Sequence, residues 1–241
     1  MPRIFNREEL SNVVVNLRQK TGNGQEKVGT GIFVVHNQND LYLITASHVA
    51  NDMLLTGEYI VRGANDRPVS LSLNDLIQDF NGNVIPWVHH QTDDLAVLKL
   101  NPTQQAINTH FQNRFLPSDN INSNPTIVSR DIELTSFGFP NGLGAVGYFS
   151  PLTFRTFASS GLITLNRADT QTPADFFILE NPSIGGYSGG PIFDISIYKH
   201  GNMTSTGSGT ICHGIMHGTI SDQTGGKLAV VTPSYKIFDL I

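Results

Sequence analysis

A single cysteine, Cys212, stands in a chain of 241 residues, so no disulfide can form within it. Such cysteine usage fits a reducing compartment or a bacterial source and argues against a secreted eukaryotic protein. Charge is scarce as well. Asp, Glu, Lys and Arg make up 15% of the residues, against roughly 25% in an average domain. The net charge is −5 and the isoelectric point near 5.8. No cluster of Lys and Arg forms a stripe that would track a phosphate backbone, so nucleic acid is not an expected partner. Apolar runs are short, far below the roughly 18 residues of a membrane-spanning helix. The first residues, MPRIFNREE, lack the apolar stretch of a secretory signal. The expectation is a soluble, cytoplasmic protein with no membrane partner.

What the chain does have is turn chemistry. It holds 23 glycines and 12 prolines, and its polarity comes largely from Asn, Gln, Ser and Thr. Short β-branched and aromatic runs recur between the turns: residues 12–18, 31–36, 41–45 and 94–100, then 131–139, 156–165, 176–179, 191–195, 210–216 and 227–232. Asn37-Gln38-Asn39-Asp40 between the second and third runs reads as a hairpin turn. Residues 101–126, rich in Asn and Pro, read as a connection between two halves, with a short helix over 104–110. Residues 7–11 and 234–241 read as short opening and closing helices. Evenly spaced strands on both sides of one connection predict an all-β architecture of two barrels or sandwiches. The strand–helix alternation of a parallel α/β sheet is missing.

Three segments carry chemistry. Leu43-Ile44-Thr45-Ala46-Ser47-His48-Val49 puts a histidine where an apolar strand ends. Asp93-Asp94-Leu95-Ala96-Val97-Leu98-Lys99-Leu100 puts a carboxylate where another begins. Gly186-Tyr187-Ser188-Gly189-Gly190-Pro191 surrounds one serine with glycine. Each segment alone is unremarked: a strand-end histidine, a solvated turn aspartate, a flexible loop. Together they supply what a serine nucleophile needs. A serine hydroxyl requires a base near neutral pH, and histidine is the side chain that titrates there. The imidazole in turn requires a carboxylate on its other nitrogen, to fix the tautomer and stabilise the imidazolium.

In that order the three segments resemble the motifs of the trypsin-like, chymotrypsin-fold serine peptidases: LITASHV, DLAVLKL and GYSGGP. Gly29-Thr30-Gly31-Ile32-Phe33-Val34 resembles the strand that precedes the histidine in that family. The spacings, 46 residues from His48 to Asp94 and 94 from Asp94 to Ser188, are similar too. The resemblance covers nearly the whole chain. It implies two six-stranded antiparallel barrels with a short C-terminal helix. One lobe, residues 1–115, would carry His48 and Asp94; the other, 116–241, would carry Ser188. Ser188 would be the nucleophile, His48 the general base and then acid, and Asp94 the orienting carboxylate. The amides of Gly186 and Ser188 would form the oxyanion hole. Asp93 is read as a solvated turn carboxylate. The substrate would be a protein or peptide, with no cofactor and no metal.

The sequence departs from the animal members of that family at Tyr187, where they carry an aspartate that pairs with a freshly cleaved N-terminus. The chain therefore resembles the disulfide-free bacterial branch. By position, Pro182 stands at the base of the primary pocket, Ser183 on its wall, and His217, within the strand-like segment 214–219, is placed to reach it. Serine plus histidine there resembles the Glu-specific members; a small or apolar preference is the other reading. His213 and His217 are four apart, but on a strand rather than a zinc-binding helix. Two functional classes follow: an active serine endopeptidase, or an inactive or partner-activated module of the same fold that acts as a peptide-binding, sensor or effector domain, with a regulatory partner protein.

Overall fold

The computed structural model describes residues 2–77, 82–200, 203–221, 223 and 227–241. A short helix, α1 (Arg7–Val13), opens the chain, closed at its start by reciprocal hydrogen bonds between Asn6 and Glu9. The first half then forms strands β1 (Val14–Lys20), β2 (Glu26–His36), β3 (Asp40–Thr45), β4 (Glu58–Arg62), β5 (Pro68–Ser72), β6 (Val88–His89), β7 (Ala96–Leu100) and β8 (Leu116–Pro117), with helix α2 (Ser47–Asp52) after β3. They hydrogen-bond in the order β5-β4-β1-β2-β3-β7-β6, all antiparallel, and β8 joins β2 in parallel.

The second half contributes β9 (Leu134–Gly138), β10 (Ala145–Val146), β11 (Tyr148–Phe149), β12 (Leu152–Thr156), β13 (Ile163–Asn166), β14 (Pro173–Leu179), β15 (Pro191–Asp194), β16 (Ile197–His200), β17 (Met203–Thr206), β18 (Ile211–Ser221) and β19 (Lys227–Pro233). Its main sheet runs β12-β9-β15-β18-β19-β14-β13, and β10-β11 and β16-β17 are separate hairpins. The architecture is the chymotrypsin-like pair of antiparallel β-units, with more strands per unit than the expected six. Among the described residues neither sheet path closes on itself. The closing helix is a 3₁₀ helix, Ser234–Asp239. The connection expected to hold a helix at 104–110 has a helical turn, Gln104–Ala106, that widens into a π-type turn, Ile107–Phe111.

Period-two alternation decides which core each side chain enters. On β1, β2, β3 and β7, Val15, Leu17, Phe33, Leu43 and Leu98 point into a core made of first-half residues alone. Their neighbours Val14, Ile32, Val34, Ile44 and Val97 point the other way, against Phe137, Phe193, Ile215 and Ile237 of the second half. A third core, with Leu134, Phe177, Ile192, Met216 and Val231, belongs to the second half. The shared core presses the two halves together, and the three chemistry-bearing segments meet along this junction.

Candidate active site

Antiparallel pairing brings the first two segments together. Thr45 at the end of β3 pairs with Ala96 at the start of β7. His48, in the first turn of α2, therefore lies beside Asp94, two residues before Ala96. The residue that precedes α2, Ala46, has no capping side chain, so the helix start has free amides. Asp94 supplies the missing acceptor. Its Oδ1 accepts the His48 backbone N–H at 2.9 Å and its Oδ2 accepts the ring Nδ1–H at 2.7 Å. One carboxylate thus fixes both the backbone and the ring of the histidine. Because an ionised carboxylate only accepts, Nδ1 carries the proton and Nε2 keeps its lone pair.

Asp94 is fully buried, whereas the His48 side chain is 29% exposed. Burial alone would raise the Asp94 pKa, but hydrogen bonds and positive charge from His217 and His48 hold it well below the ordinary carboxylate range. For His48, burial disfavours the charged ring. The Asp94 hydrogen bond and charge outweigh that effect, so its pKa is raised.

Ser188 lies on the loop between β14 and β15, tied down from both halves. Thr30 of β2 donates its hydroxyl to the Gly186 carbonyl at 2.7 Å and its N–H to the Ser188 carbonyl at 2.8 Å. Gly189 N–H bonds to the Met216 carbonyl at 2.7 Å. Gly186 has φ +96°, and a Cβ there would stand 2.5 Å from the Phe139 carbonyl oxygen, so only glycine fits this turn. Neither the Gly186 nor the Ser188 amide donates to any acceptor among the described residues. Tyr187 is buried, its hydroxyl on the Leu152 carbonyl at 2.9 Å. Its ring packs on Phe154. The loop is thereby anchored without a charged terminus. The Ser188 Oγ donates to the His217 carbonyl at 3.0 Å and makes no hydrogen bond to the His48 ring.

The structure brings His217 to a different neighbour from the pocket wall. Its Nδ1 lies 2.5 Å from Asp94 Oδ2, its ring is 6% exposed, and it meets the His48 ring edge-on, with centroids 5.6 Å apart. A β-bulge does this. Met216 pairs with Val231 and Gly218 with Val230, leaving His217 as the extra residue of β18. Such a bulge redirects a side chain. Asp93 is also corrected: it is 1% exposed rather than solvated, paired with Lys236 at 3.1 Å, and its Oδ1 accepts the Asp175 N–H at 2.9 Å. Two residues with no expected role join the site. Thr30 clamps the serine loop, and Arg167 places its guanidinium 3.2 Å from Asp94 Oδ1. The glycines flanking Thr30 hinted at a close approach; a lone arginine in a turn carries no signal.

Ser183 lies five residues before Ser188. Its carbonyl accepts the Thr219 hydroxyl at 3.0 Å, and its own Oγ is buried without a partner. It lines a cavity of about 10 Å³ with Pro182, Phe154, Tyr187 and Met216, and no charged side chain borders it. A larger groove of about 890 Å³ along Tyr59, Leu76, Gln104 and His110 contains none of these residues. His48, Asp94 and His217 have ligand-type atoms within 4.8 Å of one another. Both Nδ1 atoms already face the same carboxylate oxygen, so hydrogen bonding accounts for the cluster and a metal would have to displace both ring protons. No helix among the described residues is long and apolar enough to cross a membrane.

The trypsin-like peptidase domain matches residues 29–197 of the sequence. The chain belongs to the trypsin-like peptidase family. No curated protein matches this chain. Among solved structures, the HtrA-type protease AlgW with a tripeptide superposes with a TM-score of 0.56 at 17% identity, covering 97% of this chain and 60% of that one. The active form of the Rv3671c protease of M. tuberculosis gives 0.58 at 14% identity, covering 96% and 80%. The serine endoprotease of Yersinia pestis gives 0.53 at 18% identity, covering 97% and 62%. At such identities the likeness is one of fold. The chain spans about three fifths of the length of the AlgW and Yersinia chains. The family is one of serine-type hydrolases.

Proposed function

We propose that this chain is a serine endopeptidase that works through Ser188, His48 and Asp94. The observation that carries the reading is the double hydrogen bond from His48 to one buried carboxylate, which leaves Nε2 as a base. In the proposed reaction the Ser188 side chain leaves the His217 carbonyl and gives its proton to that nitrogen. As the Ser188 Oγ–C bond forms, the proton passes to Nε2 and the carbonyl π electrons move to oxygen. The amides of Gly186 and Ser188, free of other acceptors, bind that oxyanion. Collapse breaks the C–N bond, and His48 gives its proton to the leaving amine. Water then repeats the sequence on the acyl-enzyme, again with His48 as base. With the His217 ring engaged by Asp94 and an uncharged lining beside Ser183, the side chain preceding the cleaved bond is read as small and apolar. The tripeptide named with AlgW supports a peptide as the ligand.

The test is covalent labelling with a fluorophosphonate. Wild type labels, and Ser188→Ala does not while keeping its melting temperature. A properly folded wild type that never labels would overturn the reading. A second reading, a module switched on by a partner, is favoured by the engagement of Ser188 Oγ with the His217 carbonyl. Labelling that appears only after a cell extract is added would select it. Cleavage of a peptide library strictly after Glu, Arg or Lys would refute the pocket assignment.

A further inference from the structure

Arg167 follows β13 in the tight turn that leads to β14, closed by Arg167 N–H to the Thr172 carbonyl and Gln171 N–H to the Arg167 carbonyl. From this second-half turn its side chain crosses to the first half and is 5% exposed. A guanidinium has five N–H donors in a fixed plane, and all five are used. Nη1 donates to the Thr92 and Asp93 carbonyls at 3.3 and 3.0 Å. Nη2 donates to Asp94 Oδ1 at 3.2 Å and to Asp169 Oδ2 at 2.6 Å, and Nε donates to Asp169 Oδ1 at 2.9 Å. The last two form the parallel fork typical of a strong arginine–carboxylate pair. Lysine, a point charge, cannot reproduce this set. Asp169 is 24% exposed, so it is the partner on the solvent side, and Asp94 is the partner on the buried side.

We propose that Arg167 and Asp169 form a charge-balanced clamp that positions Asp94: the guanidinium fixes the carboxylate against which His48 is oriented, and Asp169 cancels the guanidinium's charge. The assignment rests on the reading of Asp94 as the orienting group. Without Asp169 a buried cation would stand next to the carboxylate that stabilises the imidazolium. Without Arg167, Asp94 loses one of the two donors on Oδ1, and the turn loses its tie to the loop at Thr92 and Asp93. The groups around His48 are consistent with this balance. Asp94 faces it from the turn before β7, His217 from β18, and Arg167 with Asp169 from the β13–β14 turn. His89 of β6 is bound to Ser47 Oγ at 2.7 Å, and Asp52, at the far end of α2, is paired with Lys27. After burial and Asp94, Asp169 favours the charged His48 ring and Arg167 opposes it.

The test is an NMR titration of the His48 ring in the full chain, a readout that does not depend on turnover, together with the rate of fluorophosphonate labelling. Arg167→Met is expected to move the His48 titration to higher pH and slow labelling by about 10²-fold, the loss that follows a misplacement of about 1 Å. Arg167→Lys is expected not to restore the rate. Asp169→Asn, a change at a partly exposed site, is expected to move the titration to lower pH. Opposite shifts support the clamp. Titrations that stay put, or move together, overturn it. Should Arg167→Met fail to fold, Asp169→Asn alone decides, since an unmoved titration there removes the charge balance. A wild type that titrates as expected but does not label would refute the catalytic reading and leave the clamp standing.

Discussion

Gly185 and Gly186 are neighbours in the serine loop, yet replacing each with alanine is expected to give opposite results. At Gly186 the backbone has φ +96°, and a new Cβ would meet the Phe139 carbonyl oxygen at 2.5 Å and the Asn141 nitrogen at 2.8 Å. Both are backbone atoms, so the loop itself must yield by nearly 1 Å to restore ordinary contact. The unfavourable dihedral costs about 1–3 kcal/mol, and at this chain length each kcal/mol lowers the melting temperature by roughly 2–4 °C. A larger effect is expected on rate, because the displaced amide is one of the two proposed oxyanion donors. Loss of one such donor costs about 10²–10³-fold. At Gly185 the nearest atom to a new Cβ is Asn141 Oδ1, at 4.0 Å, and φ is not in the left-handed region. Gly185→Ala should stay within about 0.5 kcal/mol of wild type. The assay is the second-order rate of fluorophosphonate labelling beside thermal unfolding of each variant. Wild-type labelling by Gly186→Ala, or equal losses in both variants, would refute the assignment of the Gly186 amide.

The other predictions concern charge and burial. His48 titrates above its ordinary value of about 6.5, so labelling should fall as pH drops through a midpoint above 6.5; a midpoint below it would contradict the Asp94 hydrogen bond. By linkage, the stability His48 gains is fully present below about pH 6.5 and is lost as pH rises through its raised value, whereas Asp94, with a depressed value, contributes above about pH 4 and loses that contribution as pH falls further. Denaturant titrations of wild type and Asp94→Asn across pH 2–8 would show both limbs. Cys212 is buried, with its thiol pushed up to about 12 by desolvation, so a thiol reagent should react only at the rate of unfolding; fast modification of the native protein would be inconsistent with this burial. Asp93→Ala removes the nearer carboxylate from Lys236 and the acceptor of the Asp175 N–H, and should cost about 1–3 kcal/mol by denaturant titration, which a truly solvated turn carboxylate would not.

The class of fold was legible because strand patterns and turn residues are local properties, as the β2–β3 hairpin with its Asn-Gln-Asn-Asp turn illustrates. Where local reading failed, the cause was also local. Residues 156–165 read as one strand, but Ser159-Ser160-Gly161 break it, so that β12 ends at Thr156 and β13 begins at Ile163. The hairpin of β4 and β5 escaped notice because EYIVR and PVSLS mix charge, proline and serine into short runs that lack clean alternation. In the site, His48, Asp94 and Ser188 stood out because their motifs surround them in sequence. The partners that restrain them did not, since each is set by a distant strand. Asp93 looked like a turn carboxylate because Lys236 lies at the other end of the chain. His217 shows the limit most clearly. Alternation along β18 would send residues 213, 215 and 217 to one face, and no residue type announces that the strand slips by one. The slip becomes visible only when β18 is set against β19, where His217 has no partner and Gly218 takes φ +158° beside it. The bulge turns what reads as a pocket histidine into a second imidazole on Asp94, and it presents the carbonyl that holds Ser188. One inserted residue therefore ties the strand expected to bind substrate to both the carboxylate and the nucleophile, a coupling that belongs to strand register rather than to any motif.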